Sequence, residues 1–453
     1  MGSTAHADPR PASVSPDFLE SPYSGYVYSY PHKTAYRPLS PAPALRDVWA
    51  GEDLSALFLY FHIPFCEMRC GFCNLFTRTG APAELVDRYL DALARQARAV
   101  REAIPGASFV NAAIGGGTPT YLEPAELERL FAIATDVMGA RLPGLPLSVE
   151  TSPATATPDR LAVLSAYGTT RVSIGVQSFD DAEARAAGRP QRRAEVETAL
   201  AAIRDAAIPS LNIDLIYGID GQTEASWLAS IDAALGWQAE EIYLYPLYVR
   251  PLTGLGRRAV SRADWDADRL ALYRAGRDHL RAAGYEQVSM RMFRRADAPR
   301  DADTGYCCQR DGMVGLGCGA RSYTSDLHYS FDYAVGIGEV RAIIDEYVAL
   351  DQDAFSSARV GVRMDRAEAQ RRTLMVSLLQ AEGLDPAFYR AQFGTDPAAD
   401  FAAELGRLAD ADLVAVSPDR IVLTDEGLAW SDAIGPALFS EQTAQLMDGY
   451  RLR

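Results

Sequence analysis

Lysine is almost absent. Of the 44 basic side chains only one, Lys33, is a lysine, and it lies in the Tyr/Pro-rich stretch PYSGYVYSYPHKTAYRPLSP. A phosphate-cradling P-loop needs a lysine after its glycines, and a Schiff-base enzyme needs one in its pocket. Kinase-like, P-loop and pyridoxal-phosphate chemistries are therefore excluded. Positive charge is scarce altogether, with 60 acidic residues giving a net charge of −16. Such a surface repels phosphate backbones, so no nucleic-acid partner is expected. No run approaches the ~18 apolar residues of a membrane span. The opening MGSTAHADPRPASVSP lacks the apolar core of a secretory signal. A soluble, cytoplasmic protein with no membrane partner is expected. The five histidines show no metal-ligand spacing.

What is present is an alternating grammar. The 453 residues are 48% hydrophobic and 9% aromatic, a globular composition with room for two or three domains. Residues 1–55 read as a disordered tail of about 15 residues followed by a Tyr/Pro-rich extension able to dock. Strand patterns then fall at 57–63, 109–114, 147–151, 171–176, 211–217 and 241–249. Helical periods lie between and after them, at 83–103, 124–138, 158–167, 192–207, 223–236 and 263–283. Six β–α alternations imply an α/β fold with a parallel sheet and right-handed crossovers. Six units fall short of an eightfold barrel, so an open curved sheet and a closed one both satisfy the count. In either, the functional edge is the C-terminal edge of the strands. The core is expected over 56–285, a loop-rich substrate-side segment over 286–360, and a C-terminal domain over 361–453. That last part shows helices at 366–381, 386–392 and 400–409, then a hairpin at 413–424. A winged-helix-like cap and a plain small helical domain fit it equally.

Chemistry concentrates in six cysteines, three of them within eight residues. A disulfide scaffold is not expected in a chain this long, and metal or redox chemistry is. Cys66, Cys70 and Cys73 form CxxxCxxC directly after the first strand, in YFHIPFCEMRCGFCN. On a helix they would line one face of a core. Pro64 and Gly71 argue instead for a loop, which can fold three sulfurs around one metal centre. A closed structural site would want four ligands, whereas three thiolates on a four-iron cluster leave one iron open.

These residues resemble the radical S-adenosylmethionine (SAM) superfamily, specifically its oxygen-independent coproporphyrinogen III oxidase-like branch. The likeness runs from about Tyr60 to the C-terminus, through HIPFC, IGGGTPTYL (114–122), VET (149–151), RVSIGVQSF (171–179), GRP (188–190) and IDLIYGIDGQT (213–223). It implies an open six-stranded (β/α)6 partial barrel of radical SAM type. It also implies a [4Fe-4S] cluster on Cys66, Cys70 and Cys73, with SAM bound at the open iron and cleaved to a 5′-deoxyadenosyl radical. By the same resemblance Gly115, Gly116, Gly117 and Thr118 meet the methionyl end of SAM, Gln177 and Arg189 line its site, and Asp214 takes the ribose hydroxyls. Glu150 lies near the amino group of SAM or beside a second SAM, and Tyr60 sits beside the cluster. His62 is a structural neighbour of the cluster.

Other features are read more plainly. Strand period puts Arg171, Ser173, Gly175 and Gln177 on one face, and Asn212 with Asp214. Cys307, Cys308 and Cys318 are taken as buried or free thiols rather than an auxiliary cluster, with GLGCGA a tight backbone segment near the active site. Arg291, Arg294, Arg295 and Arg321 are taken as a charged face rather than a grip on substrate carboxylates. In the resembling porphyrinogen enzymes a fourth cysteine follows the third by two residues, and here Leu75 occupies that position. The expected function is hydrogen abstraction from a small molecule or modified peptide, with methyl or methylene transfer from a second SAM as an extension. The alternatives are a coproporphyrinogen III oxidase-type decarboxylase and a haem-trafficking chaperone. A reductant such as flavodoxin or ferredoxin is the expected protein partner.

Overall fold

The computed structural model describes residues 20–257, 265–299 and 307–451. The expected disordered tail lies outside the described residues, as do 263–264 of the sixth expected helix and 305–306 of the cysteine-bearing loop. Two compact units emerge, one of residues 37–364 and one that joins the chain up to Tyr36 with the chain from Asp365 onward.

The larger unit is built on six parallel strands: β1 (Leu57–Ile63), β2 (Phe109–Gly116), β3 (Leu147–Thr151), β4 (Arg171–Gln177), β5 (Ser210–Tyr217) and β6 (Glu241–Pro246). They lie side by side in chain order. Helices α1 (Ala83–Ala103), α2 (Pro124–Ala132), α3 (Pro158–Ala166), α4 (Arg193–Asp205), α5 (Glu224–Gly236) and α6 (Trp265–Ala282) follow them in turn. Period two sorts each strand. In β5, Leu211, Ile213, Leu215 and Tyr217 are fully buried, while Asn212 and Asp214 share the opposite face. In α1 the buried Leu85, Tyr89, Leu93, Ala97 and Val100 recur at helical spacing, a continuous apolar stripe. Pro124 and Pro158 occupy first helical turns, where a missing N–H costs nothing. Beyond Ala132 the expected helix widens into a π-helical turn over Ile133–Val137. β6 stops at Pro246, three residues sooner than its pattern suggests, because proline cannot extend the ladder.

The sheet does not end with these six. Among the described residues it has thirteen strands and two edges. Beyond β6 come β7 (Tyr285–Gln287) and β8 (Met292–Arg295), antiparallel, with β8 next to β6. On the other side β9 (Met313–Leu316) runs parallel to β1. Then follow β10 (Arg321–Tyr323), β11 (Leu327–Ser330), β12 (Val360–Arg363) and the short strand Arg37–Pro38, all antiparallel. The segment 286–360, expected to be loop-rich, thus also carries short strands of this sheet and a helix at Ile337–Ala349 between its loops. Its strands are three or four residues long, too short for alternation to show, and depend on neighbours for their form. The N-terminal 55 residues are likewise not one element. Arg37–Pro38 joins the sheet, whereas Tyr30 is buried in the smaller unit and donates its hydroxyl to Glu368.

That smaller unit carries helices Arg366–Leu378, Pro386–Phe393 and Ala402–Asp410, then a hairpin of Val414–Val416 and Ile421–Leu423 and further short helices. An isolated bridge from Leu384 to Ile421 adds a third extended segment to the hairpin. No helix among the described residues is long and apolar enough to cross a membrane.

The α5–α6 contact shows how tightly the shell is drawn. Trp227 is fully buried and donates its indole N–H to the Leu272 carbonyl at 2.9 Å. A Cβ on Gly276 would lie 2.7 Å from that nitrogen. Trp227→Ala should lower unfolding free energy by about 3–5 kcal/mol, and Gly276→Val should destabilise by overpacking; urea denaturation checks both.

Candidate functional site

Strand register decides what shares the interior. His62 of β1 sits opposite Gly115 of β2. Glu150 pairs with Ser173, Ser173 with Asn212, and Asn212 with Glu241. One residue pair along, Gly175 faces Asp214 and Asp214 faces Tyr243. A polar band therefore crosses the inner face near the C-terminal ends of the strands, where such groups must be paired or functional.

The cysteine loop closes over this edge, and it is not helical. Cys66 ends the two-residue strand Phe65–Cys66, which pairs in parallel with Arg78–Thr79, so both ends of the loop are tied together. Thr118 donates its backbone N–H to the Phe65 carbonyl at 2.8 Å and its hydroxyl to the Cys66 sulfur at 3.4 Å. Gly117 donates to the Ile63 carbonyl at 2.7 Å. A Cβ there would come within 2.5 Å of the Phe65 oxygen and 3.0 Å of the Cys66 sulfur, so only glycine fits. At the far side Gly71 donates to the Gly188 carbonyl, and a Cβ on Gly188 would lie 2.7 Å from Gly71 Cα. Gly188 also has a φ of +71°, which favours glycine.

The other expected residues converge on the same edge. Arg189, nearly buried, donates Nη1 to the Cys70 sulfur at 3.2 Å and Nε to Gln191. Gln177 sits at a bulge in β4 with φ +70°. A Cβ on Gly175 would lie 2.7 Å from Gln177 Nε2 and 3.7 Å from Arg189 Nη1, so these side chains cross the bare glycine. Gly116 donates to Glu150 Oε2 at 3.1 Å. His62 lies between Gly116 and Gly319, where a Cβ would come within 2.6 and 2.2 Å of its ring, and its Nδ1 is 3.4 Å from the Tyr60 hydroxyl. GLGCGA is thus packed against the site through Gly317 and Gly319. Asp214 accepts from Asn212 Nδ2 at 2.8 Å and from Ser173 Oγ at 3.3 Å.

Electrostatics single out the carboxylates. Glu150 keeps an exposed side chain although it is flanked by strands on an interior face, as a group lining an internal hollow does. Burial among protein atoms raises its pKa to about 7, with Asp214 pushing further and the Gly116 N–H opposing. Burial likewise raises Asp214 to about 6, against the hydrogen bond from Asn212 and the charge of Arg171. Burial works against the Arg171 charge too, but Tyr243 and Glu241 outweigh it. Arg171 pairs with Glu241 at 2.7 Å, and Glu241 also holds Arg294 at 3.0 Å. Burial pushes the Cys66 thiol up to about 12; Thr118 opposes this, while Cys73, Glu67 and Cys70 add to it.

All three thiols are free and close enough to influence one another's ionisation. Among the described residues no three His, Cys, Asp or Glu donors gather about one ion-sized point. A single zinc would draw its sulfurs to about 2.3 Å of one centre, whereas a four-iron cube spreads three thiolates over its corners. Three cysteines in one loop match the ligand count of a four-iron cluster with one open iron, whereas a closed zinc site wants four ligands.

Cys318 lies apart, 1% exposed, with its sulfur 3.9 Å from the Tyr89 hydroxyl. Cys307 caps the short helix Cys308–Asp311 and donates its N–H to Asp311. Arg294 and Arg295 are tied into pairs with Glu241, Glu240 and Asp297. Two groups escaped the sequence reading: the partnering of Arg171 by Glu241, and a hydroxyl chain behind the loop. Glu67 accepts from Ser152 at 2.7 Å, Ser152 meets Thr155 at 2.9 Å, and Thr120 meets both Thr155 and Thr151 at 2.7 Å. The only sequence signal for it was Glu67, the one carboxylate inside the cysteine motif.

Comparison with known proteins agrees with this geometry. The model of the Radical SAM superfamily matches residues 60–234, and that of the HemN C-terminal domain matches 364–430. The chain is 25% identical over 388 residues to the haem chaperone HemW of Bacillus subtilis, covering 84% of this chain and 99% of that protein. It is 33% identical over 311 residues to the oxygen-independent coproporphyrinogen III oxidase of Paracoccus denitrificans, covering 65% and 68%. To the Salmonella typhimurium oxidase it is 28% identical over 422 residues, covering 89% and 90%. The solved structure of coproporphyrinogen III oxidase from Escherichia coli aligns with a TM-score of 0.77 over 91% of this chain and 96% of that one, at 24% identity, a likeness of fold.

The raised carboxyl groups carry a pH signature. An acid that holds its proton more tightly when folded favours the folded state at low pH. That advantage is lost as pH rises from the ordinary values of 4.5 and 3.8 towards about 7 for Glu150 and about 6 for Asp214. Stability of the protein without cofactors should therefore fall between about pH 4 and 7, and Glu150→Gln with Asp214→Asn should flatten the decline. Urea denaturation at pH 4, 5 and 7 checks it; an equal slope in the variant would contradict the burial argument.

Proposed function

The chain belongs to the radical SAM superfamily, in the branch of oxygen-independent coproporphyrinogen III oxidase and HemW, and from that premise we propose that it is a radical SAM enzyme acting on a tetrapyrrole, by hydrogen abstraction of the coproporphyrinogen oxidase type. The observation that carries the substrate class is that both kinds of relative are named for a tetrapyrrole, coproporphyrinogen in one case and haem in the other. It favours this reading over a modified peptide.

In this reading Cys66, Cys70 and Cys73 hold a [4Fe-4S] cluster and leave one iron for SAM. When bound, the two supply a 5′-deoxyadenosyl radical that takes a hydrogen from the substrate. The chain's own residues prepare the place. Thr118 donates to the Cys66 sulfur, which favours a thiolate that burial alone would oppose, and Arg189 donates to the Cys70 sulfur. Gly115–Gly117 let backbone approach the methionyl end, and Glu150, fixed by the Gly116 N–H, is placed to accept from an ammonium. Asp214, already oriented by Asn212 and Ser173, accepts from ribose hydroxyls. Gln177 and Arg189 close the same wall, and Tyr60 stands beside His62. A one-electron donor such as flavodoxin or ferredoxin supplies the reducing electron.

A second reading, haem binding without turnover, is favoured by the alignment to HemW over nearly all of that protein's length. Leu75, where the porphyrinogen enzymes are expected to carry a fourth cysteine, makes the distinction an experimental one.

The test is anaerobic reconstitution with iron and sulfide, reduction with SAM, and separation of products with and without coproporphyrinogen III. Formation of 5′-deoxyadenosine and methionine with decarboxylated porphyrinogen supports the main reading. Inertness toward coproporphyrinogen, together with a Soret shift on haem titration, would replace it with the second. S-adenosylhomocysteine among the products would reveal methyl transfer from a second SAM. Cys66→Ala, Cys70→Ala and Cys73→Ala should each abolish SAM cleavage. Asp214→Ala should retain the cluster and weaken SAM binding by a factor of about 10–100, the loss of one or two charge-assisted hydrogen bonds, read by equilibrium dialysis.

A further inference from the structure

Arg69 stands between the first two cysteines of the motif and is only partly satisfied. Its Nη2 donates to the Val335 carbonyl at 2.7 Å and, more distantly, to the Cys73 carbonyl at 3.5 Å. Its Nε and Nη1 are buried without any partner, and no carboxylate forms an ion pair with it among the described residues. The imbalance is unusual because a guanidinium cannot relieve it by giving up its proton. Arg69 is left with donors aimed into protein and nothing there to receive them. Buried donors left unmade are costly, so an acceptor is to be sought in what this loop binds.

The motif itself sets Arg69 beside the thiol centre, since it adjoins Cys70 in the chain and donates to the Cys73 carbonyl at 3.5 Å. Across the loop Arg189 already donates to the Cys70 sulfur at 3.2 Å, so a guanidinium-to-sulfur bond is an arrangement this site uses. A four-iron cluster on three thiolates is anionic, and each added electron makes it more so. Positive charge and N–H donors at the sulfurs stabilise the reduced form more than the oxidised one.

We propose that Arg69 is a positioning residue that donates its unpartnered N–H groups to the sulfurs of the cluster held by Cys66, Cys70 and Cys73, and so raises the cluster's reduction potential. The proposal rests on the cluster reading above, and adds to it a determinant of how readily the centre accepts its electron.

The measurement is a potentiometric titration of the reconstituted full chain, followed by electron paramagnetic resonance, without SAM or substrate. The midpoint should be highest in the wild type, lower in Arg69→Lys, which keeps the charge but not the planar fork, and lowest in Arg69→Gln, which can still bond the Val335 carbonyl. Clusters of normal iron content with the same midpoint in wild type and Arg69→Gln overturn the assignment. If Arg69→Gln takes up no cluster, the comparison rests on Arg69→Lys, whose midpoint must lie below wild type for the proposal to stand. Failure of both variants to load iron would make Arg69 an element of loop folding and overturn it too. A wild-type chain that assembles no cluster sinks the function proposed above and this assignment with it; a normal cluster with an unmoved midpoint sinks only the latter.

Discussion

Backbone meeting backbone, with no side chain between, holds the three cysteines where they are. Gly117 lies against the Phe65 carbonyl and the Cys66 sulfur, and Gly71 lies against Gly188. Gly116 and Gly319 leave just enough space for the His62 ring. Each contact is closer than any Cβ permits, so each fixes the loop to a strand end through hydrogen bonds that cannot slide. Everything else at the site is referenced to that clasp. The Thr118 hydroxyl reaches Cys66 because its own N–H is bonded to Phe65, and Arg189 reaches Cys70 because Gly188 touches Gly71. The connections after β1, β2 and β4 are therefore one structure in three pieces.

The second constraint is dielectric. A sheet interior is a poor place for Glu150, Asp214, Arg171 and Glu241, and the fold accepts them by partial pairing. Arg171 and Glu241 neutralise each other, and Arg294 shares the load. Glu150 and Asp214 are left with raised pKa values, so the hollow carries less negative charge at neutral pH than its formula suggests. That suits a site expected to receive a ligand bearing a cationic sulfonium and an ammonium beside an anionic centre. Each carboxyl group takes up charge when a counter-charge arrives, and the desolvation that opposes it beforehand becomes a stronger attraction afterwards.

Much of this was legible in the sequence, and the reason is periodicity. The six parallel strands, long and Val/Ile/Leu/Tyr-rich, stand within three residues of their expected limits, and α1 matches at both ends. Gly115 and Gly116 close β2 and Gln177 closes β4, as parallel α/β topology leads one to expect, whereas Tyr60 and Asp214 stand within β1 and β5. What could not be read depends on partners distant in the chain. β9 to β12 are too short to show alternation and become strands only beside β1 and one another. Glu241 declares itself only when register sets it against Arg171 and Arg294. Ser152, Thr155 and Thr120 are ordinary hydroxyl residues until they line up behind Glu67. Arg69 is the clearest case, because the sequence shows a cation between two cysteines but not that two of its donors are unmatched.

The smaller unit draws on both ends of the chain: Tyr30 is buried there against Glu368, its ring 5.4 Å from that of Phe439, and Ser440 donates to its hydroxyl. During synthesis Tyr30 leaves the ribosome early, yet the residues that bury it emerge only after some four hundred others. The larger unit, contiguous from 37 to 364, can be complete well before then. Through most of translation an aromatic-rich stretch, with Tyr23, Tyr26, Tyr28, Tyr30 and Tyr36, therefore waits without its final packing.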